Sequence, residues 1–164
     1  MPESRLVAAL RALTNAEVQF ILVGGLAAVL NGVPIQTYDV DIVYSQESTN
    51  IDRLLTVLLS LEAVFRIQPE RRLRPTKSHL SGYGHVNLLT RFGPLDVLTH
   101  IGTNLGFSDL LSHSTEIDIG DGIHIRVLDL ETIISVKEQL GEEKDLAMLP
   151  VLRQTLNEVR KSKS

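Results

Sequence analysis

The chain has 164 residues, 43% of them hydrophobic, and a formal net charge of −4. That length supports one domain with a substantial core and excludes a catalytic domain joined to a large substrate domain. The acidic balance argues against a protein whose main role is to hold nucleic acid nonspecifically, and the lack of cysteine removes disulfide and thiolate-metal chemistry. No apolar run is long enough for a membrane span and no charged-then-apolar leader is present, so a soluble, cytoplasmic protein is expected.

Residues 3–13 place Leu6, Leu10 and Leu13 at helical spacing with Val7 filling the stripe, which predicts an amphipathic first helix. Phe20-Ile21-Leu22-Val23 predicts a strand that ends in Gly24-Gly25 and runs into the helical sequence Leu26-Ala27-Ala28-Val29-Leu30. A second strand is expected over residues 37–44. Residues 49–61 carry Ile51, Leu54, Leu55, Leu58 and Leu59 on one helical face, with Ser48 or Thr49 as N-cap. Residues 63–67, 85–90, 95–99 and 123–128 read as strands, and 85–99 as a hairpin turning at Arg91-Phe92-Gly93-Pro94. Between them, 69–81 reads as a basic loop with Arg71, Arg72, Arg74 and Lys77 around Pro75: a solvated charge run, or a contact for phosphate or RNA. Asp129 caps a helix over 130–140 that Gly141 ends, and a last helix covers 144–160. The expectation is an α/β fold, a mixed β-sheet covered by helices, with residues 1–160 as a single domain and 161–164 as a disordered tail.

Chemistry concentrates in Thr37-Tyr38-Asp39-Val40-Asp41. Residues two apart on a strand share a face, so the Asp39 and Asp41 carboxylates lie side by side and repel. A cation makes such a pair worthwhile, and magnesium, a hard ion that prefers oxygen ligands and commonly also holds substrate phosphates, is the natural candidate. Gly24-Gly25 offers free backbone N–H groups at a helix start, where a phosphate is stabilised. A third carboxylate, Asp96, interrupts the apolar strand Leu95-Asp96-Val97-Leu98 and would converge with the other two if the strands are neighbours. Lys137 continues the stripe of Leu130, Ile133 and Ile134, while Asp145 heads a stripe with Leu149, Leu152 and Leu156. Two inward charges form either a mutual salt bridge or part of a site, and Lys137 could equally lay its stem on the core with its amine in water. The five histidines have no metal-ligand spacing and are expected to be structural.

Taken together, the apolar run into Gly24-Gly25, the Asp39-Val40-Asp41 pair and the distant Leu95-Asp96-Val97 resemble the nucleotidyltransferase fold superfamily, over roughly residues 20–97. The resemblance implies that Gly24 and Gly25 contact the triphosphate. It implies further that Asp39, Asp41 and Asp96 bind Mg2+, with Asp96 polarising the acceptor hydroxyl. The spacing of Lys137 to Lys144-Asp145 resembles the ending of small nucleotidyltransferases, including toxin components of bacterial toxin–antitoxin pairs, and implies that Lys137 touches the triphosphate and Asp145 orients it. The implied activity is magnesium-dependent transfer of a nucleoside monophosphate from a nucleoside triphosphate to a hydroxyl of an RNA, protein or small-molecule acceptor, with a cognate toxin–antitoxin partner among the possible controls. The alternatives are a non-catalytic, antitoxin-like binding module on the same fold, and a metal-dependent phosphohydrolase or nuclease using the same carboxylates.

Overall fold

The computed structural model describes residues 4–163. Helix α1 (Arg5–Asn15) is capped by Ser4, whose Oγ accepts from the Val7 N–H at 3.2 Å, and it buries Ala9, Leu10 and Leu13. Glu3, where the helix was expected to begin, lies outside the described residues. Strand β1 (Phe20–Val23) passes directly into α2 (Gly24–Leu30), and β2 (Val40–Tyr44) is followed by α3 (Ser48–Ser60). The α3 cap is Glu47, so Ser48 and Thr49, the expected caps, already belong to the first turn.

Seven strands form one sheet in the order β3 (Val64–Phe65), β4 (His85–Thr90), β5 (Gly93–Leu98), β2, β1, β9 (His124–Leu128) and β8 (Ser114–Asp118). The pairs β2–β5 and β1–β9 are parallel and the others antiparallel, which makes the sheet mixed. Its centre is buried on both faces. All of β1 is buried, which is why it reads as an apolar run without alternation, and Val40, Ile42, Val43 and Tyr44 of β2 are buried as well. Asp41 is the one residue of β2 that is not fully buried.

Several elements depart from the sequence expectation. The 69–81 segment contains a 3-10 turn at Pro69–Arg71 and a short helix, α4 (Lys77–Ser81). Thr76 caps that helix: its Oγ1 accepts from the His79 N–H, while His79 Nδ1 accepts from the Thr76 N–H at 2.9 Å, so a histidine plays the part usually taken by Glu or Gln. Tyr44 fastens α4 by donating its hydroxyl to the Leu80 carbonyl at 2.7 Å, and burial pushes the phenol pKa up to about 12. A two-stranded ribbon of β6 (His100–Ile101) and β7 (Leu105–Gly106), followed by α5 (Phe107–Leu111), fills the stretch before β8. Helix α6 (Leu130–Leu140) has the expected ends, with Asp129 Oδ1 accepting from the Thr132 N–H at 2.7 Å and Gly141 at φ 61°. Helix α7 (Glu143–Ser162) runs through Lys161 and Ser162, the first two residues of the expected tail. Among the described residues no helix is long and apolar enough to cross a membrane.

Candidate active site

The glycine pair and the aspartate pair interlock sterically. Antiparallel pairing of β1 with β2 sets Val23 opposite Asp41 and so delivers Gly24 to the Asp41 side chain. Gly24 sits at φ 71°, and a Cβ there would collide with Asp41 Oδ2, so the position requires glycine twice over. A Cβ on Gly25 would lie 3.0 Å from Thr37 Oγ1, and that hydroxyl donates to Asp39 Oδ1 at 3.2 Å. Asp39 stands immediately before β2, held by Thr37, while Asp41 stands within it. With seven residues, α2 has little macrodipole; what its first turn offers is backbone N–H groups without intrahelical partners.

Parallel pairing of β2 with β5 places Asp41 opposite Asp96, and β4 contributes Asn87 on the other side of Asp96. One oxygen from each of Asp39, Asp41 and Asp96 lies within 4.8 Å of the others, and all three residues are half-buried. Burial, then the charge of Asp39, then the hydrogen bond and charge of Asp96 push the Asp41 carboxyl up to about 7, against an opposing pull from Arg66. Arg66 follows β3 and was not singled out from the sequence. Its Nη2 donates to Asp96 Oδ1 at 2.6 Å, its Nη1 to the Leu88 carbonyl at 3.0 Å, and its backbone N–H to the Asn87 carbonyl at 3.0 Å. One guanidinium against three carboxylates leaves an excess of negative charge. Hard oxygen donors, close approach and that uncompensated charge together fit a divalent cation such as magnesium.

The same corner opens into a cleft of about 380 Å³ that gathers Gly24 and Asp41 with Lys137, Lys144 and Asp145 from the α6–α7 junction and His85 and His100 from β4 and β6. Lys137 Nζ donates to Asp145 Oδ1 at 3.2 Å, so the two inward charges do form a mutual salt bridge, and they do so on the wall of the cleft. Asp145 is 5% exposed, and its Oδ2 has no hydrogen-bond partner among the described residues. His85 and His100 are not core residues: His85 is exposed, His100 half-buried, and their rings lie 5.4 Å apart. Tyr83 stacks on His100 at 4.0 Å with 13° between planes. Desolvation, then the neighbouring His85, hold the His100 pKa below its ordinary value. A larger cleft of about 990 Å³, at the opposite end of the sheet among Phe20, Tyr44, Thr99 and His124, contains none of the three clustered carboxylates.

A mixed sheet whose adjacent strands β1, β2 and β5 bring a Gly-Gly turn and three carboxylates together defines the nucleotidyltransferase fold, and this chain has that fold. It is similar to a protein from Thermotoga maritima, TM1012, provisionally described as a nucleotidyltransferase, with 20% identity, a TM-score of 0.55, and 93% of this chain and 91% of that one covered. It is similar as well to the lincosamide antibiotic adenylyltransferase LnuA in its lincomycin-bound structure, with 16% identity, a TM-score of 0.57, and 94% and 98% covered. No protein-family model and no curated protein sequence matches the chain.

Proposed function

We propose that this chain is a magnesium-dependent nucleotidyltransferase that moves a nucleoside monophosphate from a nucleoside triphosphate to an acceptor hydroxyl. The observation that carries the reading is the convergence of Asp39, Asp41 and Asp96 beside Gly24, a position that only glycine can occupy. A fold shared with an adenylyltransferase supports it.

Asp39, Asp41 and Asp96 would hold the ion, and when bound it would neutralise charge on the transferring phosphate and offset the repulsion among the carboxylates. Gly24 and Gly25 present their backbone to the triphosphate, whose negative charge also draws on Lys137 across the cleft. Asp145 holds the Lys137 amine at the cleft wall and so orients it. Arg66 fixes the Asp96 carboxylate through Oδ1 and keeps it aimed, so that Asp96 polarises the acceptor hydroxyl. The hydroxyl oxygen bonds to the α-phosphorus, its proton passes to a carboxylate, and the bond between the α-phosphorus and the bridging oxygen breaks as pyrophosphate leaves. The Lys137 and Lys144-Asp145 ending supports a place among toxin–antitoxin nucleotidyltransferases, with a partner protein as control.

The test is incubation of the protein and an Asp39→Ala/Asp41→Ala variant with magnesium, each labelled nucleoside triphosphate, total RNA and cell extract. Label transferred to an acceptor by the parent alone supports the reading, and release of nucleoside monophosphate without transfer indicates a hydrolase. Absence of both label and magnesium-dependent triphosphate binding by calorimetry leaves a binding module.

A further inference from the structure

The acceptor side of the site is charged in a way the rest of the molecule is not. Residues 66–77 hold Arg66, Arg71, Arg72, Arg74 and Lys77 against the single acid Glu70, a local charge of +4 in a chain of net −4. The segment has a fixed course. The Phe65 N–H donates to the Leu73 carbonyl at 2.8 Å, closing the loop onto the outer strand of the sheet, and Gln68 and Arg72 are held at φ 55° and 53°. Lys77 is paired with Asp52 at 2.8 Å and Arg71 reaches Gln68, but the guanidiniums of Arg72 and Arg74 have no partner among the described residues. At its inner end, the segment reaches Asp96 through Arg66.

Next to this basic edge, β4 turns His85 and Asn87 outward, and Asn87 lies opposite Asp96 in register. Tyr83, 71% exposed, presents a ring that is backed by His100 and tethered by its hydroxyl to Asn104 Oδ1 at 2.7 Å. Unpaired guanidiniums on the segment that Arg66 joins to Asp96, with a propped aromatic ring just before β4, match the repeating phosphates and stacking bases of a single-stranded nucleic acid.

On the reading given above, we infer that the acceptor is the end of a single-stranded polynucleotide, its phosphates held by Arg72 and Arg74 and a base stacked on Tyr83. A small acceptor would leave Arg72 and Arg74 unused. The overall acidity confines binding to this edge and repels the chain elsewhere.

The test is fluorescence anisotropy with a short, labelled single-stranded RNA of mixed sequence, the DNA of the same sequence and an RNA duplex, across a salt series, using parent protein without nucleotide. Binding of single strands in preference to duplex is expected, weakened roughly tenfold in Arg72→Ala/Arg74→Ala and restored in Arg72→Lys/Arg74→Lys. Loss of two phosphate contacts lowers the salt slope by about 1.4. Tyr83→Ala weakens binding with the slope unchanged. A preference for RNA over DNA places recognition on the 2′-hydroxyl, and equal binding places it on phosphate and base, each within the inference. Absence of oligonucleotide binding, or binding unaffected by Arg72→Ala/Arg74→Ala, overturns it, as does labelling of a protein or small molecule alone in the transfer assay. Asp39→Ala/Asp41→Ala retains oligonucleotide binding, so failure of the transfer reading and failure of this one are separable.

Discussion

Two groups of charge face the same cleft and are built on opposite terms. Where β1, β2 and β5 lie side by side, three carboxylates share one guanidinium, and burial, then the charge of Asp39 and the contact with Asp96, raise the Asp41 pKa to about 7. At the α6–α7 junction, Lys137 and Asp145 are matched one to one. The unbalanced group is the one that requires an outside cation to be stable in its ionised form, whereas the balanced group holds its own geometry and has one buried oxygen to spare. In the proposed reaction the first group would carry the chemistry and the second would orient the triphosphate.

The largest effect expected from breaking this contrast is on the unbalanced side. Asp39→Ala/Asp41→Ala should lower nucleotide transfer by on the order of 10³-fold or more and abolish magnesium binding in a calorimetric titration. The balanced side should respond first in stability. Lys137→Ala leaves a buried carboxylate unpaired and should cost about 3 kcal/mol in urea unfolding, while Lys137→Met/Asp145→Leu should recover most of that and still bind triphosphate more weakly than the parent. Recovery of triphosphate binding in the double variant would make the pair purely structural.

A pH series sharpens the contrast further. Asp41 has a folded pKa raised from 3.8 to about 7, so in metal-free protein the stability it contributes is complete below about pH 4 and is lost as pH rises through 7. Asp41→Asn should therefore raise metal-free stability at pH 8 by about 2 kcal/mol, and added magnesium, which stabilises the parent at that pH, should no longer do so. Arg66→Ala removes the one group that lowers the Asp41 pKa, and should move the pH midpoint of magnesium binding upward. The smallest effect lies outside both groups: Thr76→Ala should cost about 1 kcal/mol through the α4 cap and leave magnesium affinity unchanged.

Much of the site was legible because its logic is local. A strand ending in Gly-Gly, an Asp-x-Asp and an aspartate alone in an apolar strand each break a pattern, and the register of β2 with β5 is the one in which Asp41 meets Asp96. Arg66 was not legible. It follows a two-residue strand that exists by pairing with β4, and nothing in its neighbours indicates that its side chain turns back toward Asp96. His85 and His100 come together through the turn of β5 into β6, which no spacing encodes. Strand β8 escaped because its sequence, Ser-Thr-Glu-Ile-Asp, has a single apolar residue and depends on β9 for its shape. The α4 cap uses histidine where Glu or Gln is the usual signal, and so 69–81 read as a plain loop.

The parallel contact between Asp41 and Asp96 joins residues separated by α3, the basic segment and the β4 arm of a hairpin whose second arm carries Asp96. Such a pairing forms late, since the entropy of closing that long loop must be met before the contact stabilises anything. A chain in which β5 has not yet paired with β2 thus carries two of the clustered carboxylates without the third, and the candidate cation site is complete only with the finished sheet.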